Sequence, residues 1–451
     1  MRWTRLARSR RLVSTAFGIV AVWTLLLWLF TPYDHPAILW LRFVRQKAAA
    51  LTRSPLADQK WLAKPARFRV DWDADVALII KTGYATQARV AAQLHALDLL
   101  PERDGHANSI VVGDFAAEVL LDTVRVPIHD VVATIANDKT LVDAPGRERL
   151  VKYKSMSDAI ASGDVGRAQK IGREIGWELD ALKFIPGLEL AYQQMPNRKW
   201  YIMLDDDTYV FRPTLRAILA HIDPSKPAYL GNAIGDFKGR FAHGGSAILL
   251  SGAAMRKVFG DNRHIVPAAR LRSLTETWGD KLVATTFMKA GVYLDERYSH
   301  FFNGERPSIT RIRPDRFCSP IVSFHGLAQP SQMDQVGELF RDVGGILTWG
   351  RLWEICGQPP WSEMPSDYVR TDEDHVGRTD ESTLTTPRVG SPEDCARMCN
   401  RHYASCLAWT WDSSASKCHI SPWVIVGEKA PGRHSGLNMG RLKSLHRACT
   451  S

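Results

Sequence analysis

Trp200-Tyr201-Ile202-Met203-Leu204-Asp205-Asp206-Asp207-Thr208-Tyr209-Val210-Phe211 is an apolar run that ends in three consecutive carboxylates and then resumes. Its first part is short, apolar on both faces and entered from a Pro-Asn turn, which predicts a buried parallel strand. Three adjacent aspartates at such a strand end repel one another and are costly to desolvate without a cation. Hard oxygen ligands suit Mg²⁺ or Mn²⁺, and such an ion can bridge a protein to a diphosphate. An isolated acidic triplet reads as a solvated turn; the buried strand leading into this one favours the metal.

Working outward, residues 76–80 (Val-Ala-Leu-Ile-Ile) form a second buried-type strand that ends at Lys81-Thr82-Gly83. Helical spacing follows over 86–100, then another short strand over 109–114 that closes on Asp114. Strand, helix, strand at this spacing predicts a parallel α/β sheet. Further helices are expected over 158–177 and 213–222, the latter with Pro213 in its first turn. Further strands are expected over 229–232 and 247–250. Between those two strands, Gly244-Gly245 permits backbone to approach a ligand closely, or simply turns the chain. In an open parallel sheet, ligands bind at the carboxyl ends of the strands. Thr82, Asp114 and Asp205 to Asp207 would share that edge, which suits a nucleotide diphosphate with its bridging metal. There is no Walker GxxxxGK[ST] and no GxGxxG after a strand, against ATPase and dinucleotide chemistry.

The chain has 451 residues, enough for two or three units, with ordinary hydrophobic (45%) and charged (24%) content. Much of its net charge of +10 comes from Arg2, Arg5, Arg8, Arg10 and Arg11 and from basic residues just beyond Phe30. No basic stripe interleaved with aromatics runs through the body, so nucleic acid is not an expected partner. Residues 12–30 are uncharged and long enough to cross a bilayer. The arginines before them place residues 1–11 in the cytosol by the positive-inside rule. No clear small-x-small cleavage site follows, so a signal anchor is favoured over a cleaved signal peptide, giving a single-pass type II topology. Residues 31–70 read as a basic, Pro-punctuated stem, 71–370 as the main domain and 371–390 as a polar linker. The last segment, 391–451, is a Cys-rich module. No cysteine precedes Cys318, and four of the seven crowd between Cys395 and Cys418, which reads as a lumenal disulfide framework.

The acidic strand resembles the DxD-containing strand of the fringe-like β-glycosyltransferases, glycosyltransferase family 31. Other motifs of that family occur here in its order. They are Lys81-Thr82 with Arg89; Trp177, Asp180, Lys183 and Phe184; Gly244-Gly245-Ser246-Ala247; Gly279-Asp280 with Ala284; and Ser323-Phe324-His325. Three features depart from the pattern: Ser246 and Ala247 stand where the family has Ala and Gly, and the usual acidic doublet is reduced to Asp280. The arrangement is most similar to the fungal branch of that family.

The resemblance implies a GT-A fold and inverting transfer from a UDP-sugar to a hydroxyl of a glycan or glycoprotein, at a Golgi membrane. It implies Mn²⁺ (or Mg²⁺) on Asp207 and His325, with Asp205 reaching the metal through water or contacting the ribose. Lys81, Thr82, Arg89, Asp114, Asp206, Gly244 and Gly245 would line the nucleotide, and Asp280 would be the base. Trp177 is expected in the core, and the sequence leaves His243 and His300 open. The Cys-rich module is similar to a truncated PAN/Apple domain, which implies Cys399–Cys406 and Cys395–Cys418. Cys318, Cys356 and Cys449 then leave one thiol over. Two rival functions are a membrane-tethered binding relative without activity and, less favoured, a haloacid-dehalogenase-type phosphatase. Donor sugar, linkage and oligomeric state are not specified by these residues.

Overall fold

The computed structural model describes residues 15, 17–26, 30–99, 108–121, 123–141 and 144–450. The expected tail and part of the expected 12–30 anchor lie outside them, and no helix among the described residues is long and apolar enough to cross a membrane. In chain order the strands of the main domain are β1 (Val76–Lys81), β2 (Ser109–Gly113), β3 (Ala117–Leu121) and β4 (Val124–Asp130). They continue with β5 (Trp200–Asp205), β6 (Tyr209–Val210), β7 (Tyr229–Gly231), β8 (Ala233–Ile234), β9 (Phe241–Ala242), β10 (Ile248–Ser251) and β11 (Ser323–Phe324). Seven of them form one sheet in the order β3-β4-β2-β1-β5-β10-β7. β1 pairs in parallel with β2 and β5, and β2 with β4. β3 and β10 run antiparallel to their neighbours. The domain is therefore mixed α/β around a mostly parallel sheet.

β1 is buried at every position and β5 at all but its last, as central strands covered on both faces must be. Side chains alternate between two cores. Leu78, Ile80, Ile202 and Leu204 enter one, and Ala77, Ile79, Tyr201 and Met203 enter the other.

The helices are α1 (Pro36–Leu51), α2 (Ala88–Ala96), α3 (Glu148–Ala161), α4 (Val165–Gln194), α5 (Arg212–Leu219), α6 (Gly279–Lys289) and α7 (Pro330–Phe340). α2 is shorter than its alanine-rich run because Tyr84–Thr86 forms a 3₁₀ turn, and Leu97 caps its end by donating to Gln93 O. The single helix expected over 158–177 is instead the junction of α3 and α4. Gly163 breaks it at φ +75°, and Asp164 caps α4 by accepting from the Arg167 N–H. α4 carries little amphipathic signal because everything from Ala181 to Leu188 is buried.

The expected stem packs on the domain. Ile38 and Leu39 of α1 are buried, and Gln46 Oε1 accepts from the Glu296 N–H at 2.7 Å. Asp58, only 8% exposed, accepts from Ser319 Oγ at 2.6 Å and pairs with Arg53 and His300.

The expected linker is a correction. Residues 371–390 contribute most of β12 (Val369–Asp374) and all of β13 (Leu384–Pro387) to a five-stranded sheet. Its other strands are β14 (Ala408–Asp412), β15 (Lys417–Ser421) and β16 (Glu428–Leu437), in the order β12-β16-β14-β15-β13. β12 and β13 are the two edges and expose most of their side chains, so they carry the polar composition of a linker. α8 (Pro392–Arg401) packs on this sheet through Cys395–Cys418 and Cys399–Cys406, the pairing that the resemblance implies. α9 (Met439–Thr450) carries Cys449, which bridges back to Cys318 across 131 residues of chain. Cys356 is the remaining thiol, and burial pushes it up to about 12. Arg311–Asp380 at 2.7 Å, Arg306–Glu428 at 2.6 Å and an Ile312–Val424 bridge also join the module to the main domain.

A long closed loop makes Cys318–Cys449 the bridge with most effect on the unfolded chain. Cys318→Ser with Cys449→Ser should cost about 2–5 kcal/mol in denaturant unfolding, while Cys356→Ala, which breaks no bridge, should lower the midpoint less.

Candidate active site

The register of β1 and β5 sets the site. Lys81 and Asp205 are direct cross-strand partners at the carboxyl end of the sheet. Both continue the face that buries Ile79 and Met203, so their side chains meet: Lys81 Nζ lies 2.9 Å from Asp205 Oδ1 and also pairs with Asp180 of α4. Thr82 and Asp206 are the first residues past the two strand ends, and the turns there carry them away from that face. There Asp206 Oδ2 accepts from Thr82 Oγ1 at 2.7 Å and Thr86 Oγ1 at 2.5 Å, and Oδ1 accepts from Arg89 at 3.1 Å.

Asp207 returns to the first side. Its Oδ1 is 3.2 Å from His325 Nε2, carried just past β11, which pairs antiparallel with β6. One ligand atom each from Asp205, Asp207 and His325 lies within 4.8 Å of the others. Burial works against charge on both partners, but their mutual hydrogen bond and charge outweigh it, holding Asp207 below the usual carboxylate range and His325 above the usual imidazole range. Burial also opposes the Lys81 ammonium, and Asp180 and Asp205 more than compensate, so it stays charged.

Asp280 sits at the start of α6, where Trp278 is the N-cap. Its Oδ2 accepts from the Gly244 N–H and its Oδ1 from the Lys281 N–H, both at 2.8 Å. Burial nevertheless raises its carboxyl to about 6. The same glycine turn reaches His325: a Cβ on Gly245 would lie 2.4 Å from His325 Nε2, so only glycine allows this approach. Ser246 Oγ bonds His243 Nδ1 at 2.9 Å and Asn232 Nδ2 at 3.2 Å, tying the turn to both residues. Ala247 adopts φ +79°, ψ 139°, a conformation that glycine takes freely and alanine does not.

The donor set fits a hard divalent ion: two carboxylates and an imidazole converge, and aspartates outnumber the fixed cations Lys81, Lys183 and Arg89 around them. Four residues expected at the nucleotide have partners within the protein. Asp206 and Thr82, with exposures of 5% and 2%, bond each other, and Arg89 pairs with Asp206 and lies 3.9 Å from Asp207. Asp114, 2% exposed, accepts from the Tyr84 N–H and pairs with Lys183. These groups hold the loop after β1 against the acidic turn. Trp177 is also a correction: it is 62% exposed on α4 rather than in the core. His243 belongs to the site, with its ring 5.5 Å from that of His325, whereas His300 binds Asp58 under the stem.

Sequence reasoning gave no role to Gln93, whose side-chain amide donates to Asp205 O and Thr208 O at 2.7 Å and fixes the acidic turn. The available signal was a polar residue at the helical spacing that places Gln93 on the apolar face of Val90 and Leu94.

Gly245→Ala should displace His325 and abolish Mn²⁺-induced thermal stabilisation while leaving the circular-dichroism spectrum intact. Ala247→Gly should relieve backbone strain and raise unfolding stability by about 1 kcal/mol, read from denaturant midpoints.

Residues 183–340 match the family model described as Fringe-like, and residues 366–433 match that of the PAN domain. The first match spans the acidic strand, the glycine turn, Asp280 and His325; the second starts before β12, in agreement with the sheet. The chain carries a fringe-like glycosyltransferase domain followed by a C-terminal PAN domain.

Proposed function

We propose that this protein is an inverting β-glycosyltransferase that moves a hexose or N-acetylhexosamine from a UDP-sugar to a hydroxyl of a glycan or glycoprotein. The observation that carries the reading is the convergence of Asp205, Asp207 and His325 on one side of the glycine turn whose Gly244 N–H binds the buried carboxyl of Asp280. Asp205, Asp207 and His325 would hold Mn²⁺ or Mg²⁺. When bound there, the ion supplies positive charge against the charge that develops on the departing diphosphate.

Asp280 is the base. The acceptor oxygen bonds to the anomeric carbon as the bond to the diphosphate oxygen breaks, and the hydroxyl proton passes to the Asp280 carboxylate. The Gly244 and Lys281 N–H groups fix the orientation of that carboxylate, and each of its oxygens keeps a lone pair for the proton. Lys81 holds Asp205 in place and keeps its own charge throughout. A Golgi membrane, with the domain lumenal and residues 12–30 as anchor, accords with the disulfides and the basic N-terminus.

The departures at Ser246 and Ala247 and the single Asp of the base motif motivate a binding protein without activity; the first two do not disturb the turn. Ala247 keeps a glycine-like backbone, and Gly244 still reaches Asp280.

UDP release measured across sugar nucleotides with Mn²⁺, with and without a chelator, tests the reading; glycan binding without any turnover would favour the binding protein instead. Because the Asp280 carboxyl must be ionised to accept a proton, kcat/KM should fall below about pH 6 by about tenfold per unit. Asp280→Asn should lose transfer and keep UDP affinity, and transfer surviving in that variant would remove Asp280 from the role.

A further inference from the structure

Beyond the donor site, two indoles stand in the open. Trp177 is 62% exposed and Trp278 is 48% exposed, and their rings meet edge to face at 6.0 Å. They come from different elements, α4 and the start of α6, so neither sequence proximity nor one helix surface accounts for the pair.

Their position is set by the base pocket. Trp177, Asp180, Ala181 and Phe184 fall at i, i+3, i+4 and i+7 on one stripe of α4. Phe184 is buried with its ring 4.5 Å from Lys81 Nζ, and Asp180 pairs with that lysine. The start of α6 lies on this stripe: a Cβ on Gly279 would strike Phe184 at 2.2 Å and Ala181 at 2.9 Å. The stripe therefore leads from the floor beside Lys81 and Asp280 out to Trp177, and Trp278 emerges next to it, two residues before Asp280.

Trp278 also occupies a costly position. It is the N-cap of α6 and makes no side-chain capping bond, where Ser, Thr, Asp or Asn would stabilise the helix. Two large apolar rings left in water and a forgone cap are together explained by a ligand that covers them. That ligand must also bring a hydroxyl to Asp280.

We propose that Trp177 and Trp278 form the acceptor platform, on which the apolar C–H face of a pyranose stacks so that a neighbouring hydroxyl reaches Asp280. The inference rests on the transferase reading and adds that the acceptor end is a sugar ring rather than a bare peptide hydroxyl. An indole gives such a ring a rigid flat surface at low entropic cost, with its N–H left for a hydroxyl.

The test uses the full chain with Mn²⁺, UDP-sugars and a panel of methyl pyranosides and disaccharides. Trp177→Ala and Trp278→Ala should each raise the acceptor KM about tenfold, with kcat at saturating acceptor little changed. UDP affinity should not move, and Trp278→Phe should recover most of the loss. The double variant should fall short of the combined single effects, because the rings share one ligand. An unchanged acceptor KM, or UDP affinity falling in parallel, overturns the platform. Saturation-transfer NMR reads pyranoside contact separately from turnover, and no signal from the wild-type protein also overturns it. Loss of UDP–Mn²⁺ binding in the wild type, by contrast, sinks the transferase reading itself.

Discussion

The Lys81–Asp205 pairing at the carboxyl end of β1 and β5 is the constraint on which the site depends. Parallel register makes the two residues neighbours, and the period of two sends their side chains to the same face. Past the strand end the chain turns, the Thr208 N–H donating to Asp205 O, and the turn sends Asp206 to Thr82, Thr86 and Arg89 and Asp207 to His325. Strand register and the turn after it thus divide three adjacent carboxylates into two that converge with His325 and one that pins the loop after β1. Removing Arg89 would leave the buried Asp206 on two threonine hydroxyls with no cation beside it, a costly state for a carboxylate away from water.

The same turn works at both ends. Gly244 presents its N–H to Asp280, Gly245 leaves room for His325, and Ser246 adds a hydroxyl between His243 and Asn232. Ala247 then completes the turn in a glycine-like conformation. A backbone that persists under an unfavourable side chain is held by its surroundings. Here Thr208 Oγ1 donates to Gly245 O and Ser323 Oγ donates to Ser246 O. The converging aspartates, His325, Asp280 and the glycine turn therefore form one hydrogen-bonded unit rather than separate motifs.

Outside this unit, the chain is tied down at its margins. The segment after the expected anchor lies against the main domain through Asp58 and α1, and the PAN domain is held by Cys318–Cys449 and by the 306–312 loop. The Glu305 carbonyl at the start of that loop accepts from the His325 N–H. The C-terminal domain thus rests on a segment that is hydrogen-bonded to His325, which gives it a structural bearing on the site.

Sequence alone determined the parallel α/β class, because uninterrupted apolar runs such as 76–80 and 200–204 fit only strands covered on both faces. It also determined the acidic edge, the glycine turn and the Cys-rich end, since charge clustering, paired glycines and cysteine spacing are local properties. Register, exposure and edge position were decided by the tertiary structure alone. Asp206 differs from Asp205 and Asp207 only by the face on which it lies, Trp177 only by whether another element covers it, and 371–390 only by pairing at a sheet edge. The Cys318–Cys449 bridge depends on a chain path that brings distant residues together. Each of these is a relation between segments far apart in the chain, and no local pattern of residue types encodes it.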